Sequence, residues 1–112
     1  MRFLIDTNIL IMFITDDGRL SASHRDIISS EENEIFTSIA SLWEIEIKHS
    51  LGKLELNVSL AELFDIIETR TGIEILTVKK EHILMLDTLP YHHRDPFDRL
   101  IFSQSISEKM EF

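Results

Sequence analysis

Phe3, Leu4 and Ile5 form an unbroken apolar run near the start of the chain, and the run stops at a carboxylate, Asp6, followed by Thr7 and Asn8. Apolar side chains on successive residues need cover on both faces, which suits the central part of a parallel sheet. In open α/β sheets, chemistry sits just beyond the carboxyl ends of the strands. Asp6 stands one step past such a strand and is a site candidate by position. Asp is also a favoured N-cap. On this stretch alone, both readings stay open.

A chain of 112 residues makes one domain and buries enough surface for a core of its own. It has no cysteine, so it offers neither a disulfide nor a thiolate site; this is compatible with a cytoplasmic location. No leader-like start is visible, and the apolar run Ile9–Ile14 is far shorter than a membrane span. Asp and Glu total 20 against 11 Lys and Arg, for a formal net charge of −9. Such a surface repels nucleic acid unless a cation supplies positive charge, and it suits a basic protein partner.

Further along, helix and strand patterns alternate. Thr7 to Ile14 reads as a short helix, Asp16-Asp17-Gly18 as a turn, and Ser21 to Ser30 as a second helix with Ile27 and Ile28 inward. Glu34 to Thr37 is a second strand. Ser38 to Leu51 is the most periodic helix, with Ile39, Trp43, Ile47 and Leu51 as its expected buried stripe and Leu42 beside it. Gly52 ends it. Leu54, Leu56 and Val58 alternate with polar residues, as in a short extended arm. Ser59 opens a helix to Thr71, which Gly72 stops. Ile73 to Leu76 is a third strand, Lys79 to Leu86 a helix, Tyr91 to Arg94 a loop, and Asp95-Pro96 starts a last helix towards Met110. Strands separated by helices predict an α/β sandwich on a parallel sheet.

Three acids stand where chemistry is expected. Asp6 ends the first strand. Glu44 lies one residue from Trp43, about 100° round from the expected stripe. It also fits a capping box begun by Ser41 and an i,i+4 pair with Lys48. Asp98 shares a helix face with Ile101, Phe102 and Ser105, though Asp95 at the N-cap and Asp98 in the first turn also suit an ordinary helix start. Each acid has a plain explanation singly; the set is harder to dismiss. A parallel sheet puts all three at one end, where converging carboxylates need a cation. Oxygen-only ligation points to Mg²⁺ or Mn²⁺ rather than zinc. The adjacent His92 and His93 diverge, and no Gly-rich phosphate loop or nucleophile elbow is present.

Three segments together resemble the PIN domain, a metal-dependent ribonuclease family, in its branch of VapC-type toxins from type II toxin–antitoxin pairs. They are Leu4-Ile5-Asp6-Thr7-Asn8, Ser41-Leu42-Trp43-Glu44-Ile45 continuing through Lys48 to Gly52-Lys53-Leu54, and His92-His93-Arg94-Asp95-Pro96-Phe97-Asp98-Arg99-Leu100-Ile101. The resemblance implies a three-layer α/β sandwich with a short parallel sheet flanked by helices. It implies that Asp6, Glu44 and Asp98 hold Mg²⁺ or Mn²⁺, directly or through water, with Asp95 chiefly a cap and a minor site residue. Thr7 and Asn8 would orient Asp6 or a water, and Arg94, Arg99, Lys48 and Lys53 would grip an RNA backbone. The implied reaction is hydrolysis of an RNA phosphodiester. The implied partners are a cognate antitoxin with a basic tail and, as is usual for such proteins, a second copy in a homodimer.

One departure stands out. Chains of this family continue past the last helix with a further strand, whereas this sequence stops at Phe112. The last strands are therefore expected to be missing, with Phe3 to Ile5 left as an exposed edge prone to self-association. This keeps a second reading open: a catalytically impaired PIN-like module that binds an antitoxin or another basic peptide. Phosphotransfer through Asp6 is a distant third, because position 8 holds Asn rather than the second Asp it would want.

Overall fold

The computed structural model describes residues 1–90 and 95–112. Three parallel strands, β1 (Arg2–Ile5), β2 (Glu34–Ser38) and β3 (Glu74–Leu76), lie in the order β1-β2-β3. Six helices join and follow them: α1 (Thr7–Ile14), α2 (Ala22–Ser29), α3 (Ile39–Ser50), α4 (Leu60–Arg70), α5 (Lys80–Thr88) and α6 (Pro96–Ser107). This is the expected α/β sandwich. The segments Tyr91 to Arg94 predicted as a loop, including His92, His93 and Arg94, fall outside the described residues.

Strand alternation divides the core in two. Ile5, Ile35 and Ile73 pack on one side with Leu10, Ile28, Leu42, Ile45, Leu63 and Ile67, which come from α1 to α4. Leu4 and Phe36 point the other way and meet Ile101 of α6 and Met110. α5 packs on α6 rather than directly on the sheet. The register pairs Ile5 with Thr37, so Asp6 leaves the sheet beside Ser38, the last residue of β2 and the N-cap of α3.

Local chemistry fixes the helix ends. Ser21, Ser38 and Ser59 each accept a backbone N–H as N-caps. After α3, Gly52 at φ +72 completes a Schellman turn, with its N–H on the carbonyl of His49 and that of Lys53 on the carbonyl of Lys48. The last helix repeats this turn with Lys109 at φ +57, a conformation that costs a non-glycine residue some strain. It therefore stops at Ser107, short of the expected Met110, and turns Met110 into the core.

That turn changes the expected edge of the sheet. Leu4 N–H donates to the carbonyl of Glu111 at 2.8 Å, and Glu111 N–H donates to that of Arg2 at 2.9 Å. Glu111 thus forms a parallel bridge with Phe3, and the edge of β1 is partly covered rather than fully exposed. Leu54, Leu56 and Val58 pack against the core as their alternation suggested, but as a loop without strand partners.

The expected stripe of α3 is the largest correction. Trp43 is 61% exposed, Leu51 64% and Ile39 41%, while the buried residues are Ala40, Ser41, Leu42 and Ile45. The helix is turned so that this mixed face, two small residues beside Leu42 and Ile45, points inward. Glu44 lies about 60° from Ser41 on a helical wheel. It therefore belongs to the inward face, not to the edge of an apolar stripe.

Candidate functional site

Asp6 follows β1 and caps α1. Its Oδ1 accepts the N–H of Ile9 at 2.8 Å, so the capping reading is correct. The bond uses one oxygen of a half-buried carboxylate and leaves Oδ2 for other partners. Asp95 caps α6 in the same way, its Oδ1 accepting from the N–H groups of Phe97 at 2.9 Å and Asp98 at 3.4 Å. Asp95 is exposed and Pro96 occupies the first helical position. Asp98 then falls in the first turn, where the helix dipole favours a negative charge.

Asp6 and Asp98 line one cavity of about 300 Å³, with Asn8, Phe102 and Phe112 as the other walls. The sheet brings the first there and the capped start of α6 brings the second. Asp98 is exposed rather than inward, although Ile101 and Ser105 behind it are buried. Phe102, expected on the same inward face, is also exposed, so only Ile101 and Ser105 of that face are buried.

Two contacts hold α3 beside these acids. Thr7 Oγ1 donates to Ser41 Oγ at 2.9 Å in a buried bond, tying the start of α1 to the helix that carries Glu44. Trp43 meets Phe97 edge to face, with ring centroids 5.3 Å apart, tying the same helix to the start of α6. Each tie lies next to, or one turn from, an acid: Thr7 by Asp6, Ser41 and Trp43 by Glu44, Phe97 by Asp98. The sequence marks Ser41 only as the start of a capping box with Glu44, whereas Ser38 is the observed cap and Ser41 is the partner of Thr7. A small polar residue three before Glu44 shares its helix face.

Glu44 Oε2 lies 3.5 Å from Lys48 Nζ, the expected i,i+4 pair. Its Oε1 is buried and has no hydrogen-bond partner among the described residues. A carboxylate oxygen withdrawn from water without a donor is costly, and a cation or an ordered water removes that cost. Glu44 itself does not line the Asp6–Asp98 cavity. Among the described residues no three acids or histidines come close enough together to hold a metal by themselves.

The donors present are compatible with Mg²⁺ or Mn²⁺. Such ions keep several waters and are commonly bound through only one or two carboxylates. Asp6 and Asp98 would supply those carboxylates, and Glu44 has an oxygen without a hydrogen-bond partner among the described residues.

The candidate RNA-gripping cations are scattered. Lys48 is engaged by Glu44, and Lys53 is exposed in the turn after α3. Arg99 Nη2 reaches the carbonyl of Leu89 at 3.4 Å and lines a different cavity, beside α5. Arg94 lies outside the described residues. Among the described residues no helix is long and apolar enough to cross a membrane.

No curated protein matches the chain. Among solved structures it is similar to the crystal structure of VapBC2 from Rickettsia felis bound to a DNA fragment from their promoter, at 21% identity and a TM-score of 0.70. The alignment covers 98% of this chain and 84% of that one, and at this identity the likeness establishes the fold. The PIN domain family model matches residues 3–112, nearly the whole chain including Asp6, Glu44 and Asp98, and the chain therefore belongs to the PIN domain family.

Proposed function

We propose that this protein is a Mg²⁺- or Mn²⁺-dependent endoribonuclease that hydrolyses RNA phosphodiester bonds and is neutralised by a cognate antitoxin. The observation that carries this reading is the shared cavity of Asp6 and Asp98 at the carboxyl end of the sheet. The family match and the VapBC2-like fold support it. Asp6 and Asp98 would hold the ion, with Glu44 acting through its unpaired oxygen. When bound, the ion makes a water nucleophilic at neutral pH and offsets charge on the phosphate. The chain's own part is positional. The N-cap bond to Ile9 fixes Asp6, the Thr7–Ser41 bond fixes Glu44 relative to it, and the Asp95 cap presents Asp98. Thr7 is thus a positioning residue, and Asn8, on the cavity wall, is the one placed to face a water or a phosphate. With a net charge of −9, both the ion and a basic antitoxin segment offset a surface that repels RNA.

Asp6→Asn tests the reading. Asparagine keeps an oxygen for the N-cap, so the fold is expected to survive. Metal-dependent cleavage of RNA on a gel, run with Mn²⁺ and again with EDTA, is expected to fall by on the order of a hundredfold or more. Full activity in this variant would remove the metal site from the account.

A second reading is favoured by one observation: no group of three potential ligands is closely gathered among the described residues. On that reading the chain is a PIN-like module that binds an antitoxin or another basic peptide without cutting RNA. Calorimetric Mn²⁺ binding with no EDTA-sensitive cleavage supports the module; binding with cleavage supports the nuclease.

A further inference from the structure

Apart from the acid pocket, a groove of about 750 Å³ lies between α3, α4 and β3. Ile39 and Trp43 of α3 and Phe64 of α4 give it apolar walls, and Glu46, Glu68 and Glu74 give it an acidic rim. No Lys, Arg or His lines it among the described residues. Its floor is formed by Gly72, Ile73, Glu74, Ile75 and Thr77. That stretch contains β3, the outer strand of the described sheet, which pairs only with β2.

We propose that this groove receives an extended segment of a partner protein, apolar at every second residue and basic between, laid along the outer edge of β3. An outer strand presents unpaired backbone groups that an added strand satisfies, and alternate side chains of that strand then enter a neighbouring pocket. Ile39 and Trp43, exposed on the outer side of α3, supply the apolar wall such side chains need. Charge selects among occupants. A second copy of this chain would set the three rim glutamates against more acid, and a nucleic acid would bring phosphates to them. A lysine-rich segment meets them with opposite charge. The groove lies apart from the acid cavity, so the inference goes beyond the proposed function and holds whether or not RNA is cleaved.

Trp43 is the chain's single tryptophan, and its exposure makes it a reporter. The test titrates the full chain with a short synthetic peptide of alternating valine and lysine, capped at both ends. Its controls are an alternating valine–glutamate peptide and a peptide of identical valine–lysine composition arranged in two blocks. A saturable blue shift of tryptophan emission is expected with the alternating valine–lysine peptide alone. The double variant Glu68→Lys/Glu74→Lys, at two exposed positions, is expected to weaken it by about tenfold or more. No saturable shift, or equal binding of the block peptide, overturns the proposal, the latter because it leaves only general charge attraction. A chain that binds the peptide and does not cut RNA removes the nuclease reading only; one that cuts RNA and ignores the peptide removes this one only.

Discussion

The two sides of α3 are built in opposite ways. The inward side buries Leu42 and Ile45 with the smaller Ala40 and Ser41, and Glu44 lies beside them. The outward side leaves Ile39, Trp43 and Leu51 exposed. An ordinary surface helix carries polar residues there. The contrast shows what each side is for. The small Ser41 on the inner face lets the helix approach α1 closely enough to take the Thr7 hydrogen bond. The outer face gives Ile39 and Trp43 to the walls of the groove beside β3.

Truncation separates the two sides most sharply. Ile45 is fully buried, so Ile45→Ala is expected to cost about 2–5 kcal/mol. Trp43→Ala removes a larger side chain but mainly the edge-to-face contact with Phe97, and is expected to cost only about 0.5–1.5 kcal/mol. Urea melts of both variants check this. Equal costs, or a larger cost at Trp43, would mean that the helix is turned the other way.

A smaller effect is expected at the polar tie. Ser41→Ala leaves a buried hydroxyl of Thr7 without its acceptor, at about 1–3 kcal/mol. The proposed function makes this tie a positioning contact for the helix that carries Glu44, so on that proposal Mn²⁺ affinity is expected to fall by about tenfold or more as well. Adding Thr7→Val is expected to restore much of the stability, since both polar partners are then gone, but not the affinity. Affinity that recovers along with stability would make the tie purely structural.

The smallest effect concerns a network at the far end of α6. His82 is fully buried; its Nδ1 accepts the N–H of Lys79 at 2.9 Å, and its Nε2–H donates to Glu108 at 2.7 Å. That hydrogen bond, aided by the nearby positive charges of Lys79 and Arg2, holds the Glu108 carboxyl below its ordinary value. A carboxyl lowered on folding contributes stability that is present above its unfolded pKa and lost as pH falls through its folded one. Glu108→Gln is therefore expected to lower the melting temperature near neutral pH, with the difference from the native protein vanishing in acid. A difference that does not change with pH would remove the charge from the account. Acid sensitivity arising here is separable from any at the carboxylate cavity.

Much of this was legible in the chain because it is written locally. A cap, a glycine after a helix or an acid after an apolar strand is decided by neighbours in sequence, so Ser59, Gly52, Asp95 and Asp6 were read correctly. The facing of α3 was not. Residues four apart drift by about 40° per step, and such a stripe marks an apolar line without saying what covers it. The Leu54–Val58 alternation likewise reported which side chains meet the core and not whether the backbone pairs. The bridge of Glu111 to β1 involves one residue and carries no period at all. The sequence offered three acids as candidates; that Asp6 and Asp98 share a cavity while Glu44 stands off its walls depends on packing that no spacing encodes.

The central claim is that Asp6 and Asp98 act together on one ion. Calorimetric titration of Mn²⁺ into the native protein, Asp6→Asn, Asp98→Asn and the double variant tests it as a mutant cycle. The account predicts that either single change removes most of the binding and that the second adds little. Losses that simply add, or Mn²⁺ binding unchanged in all four proteins, would contradict it.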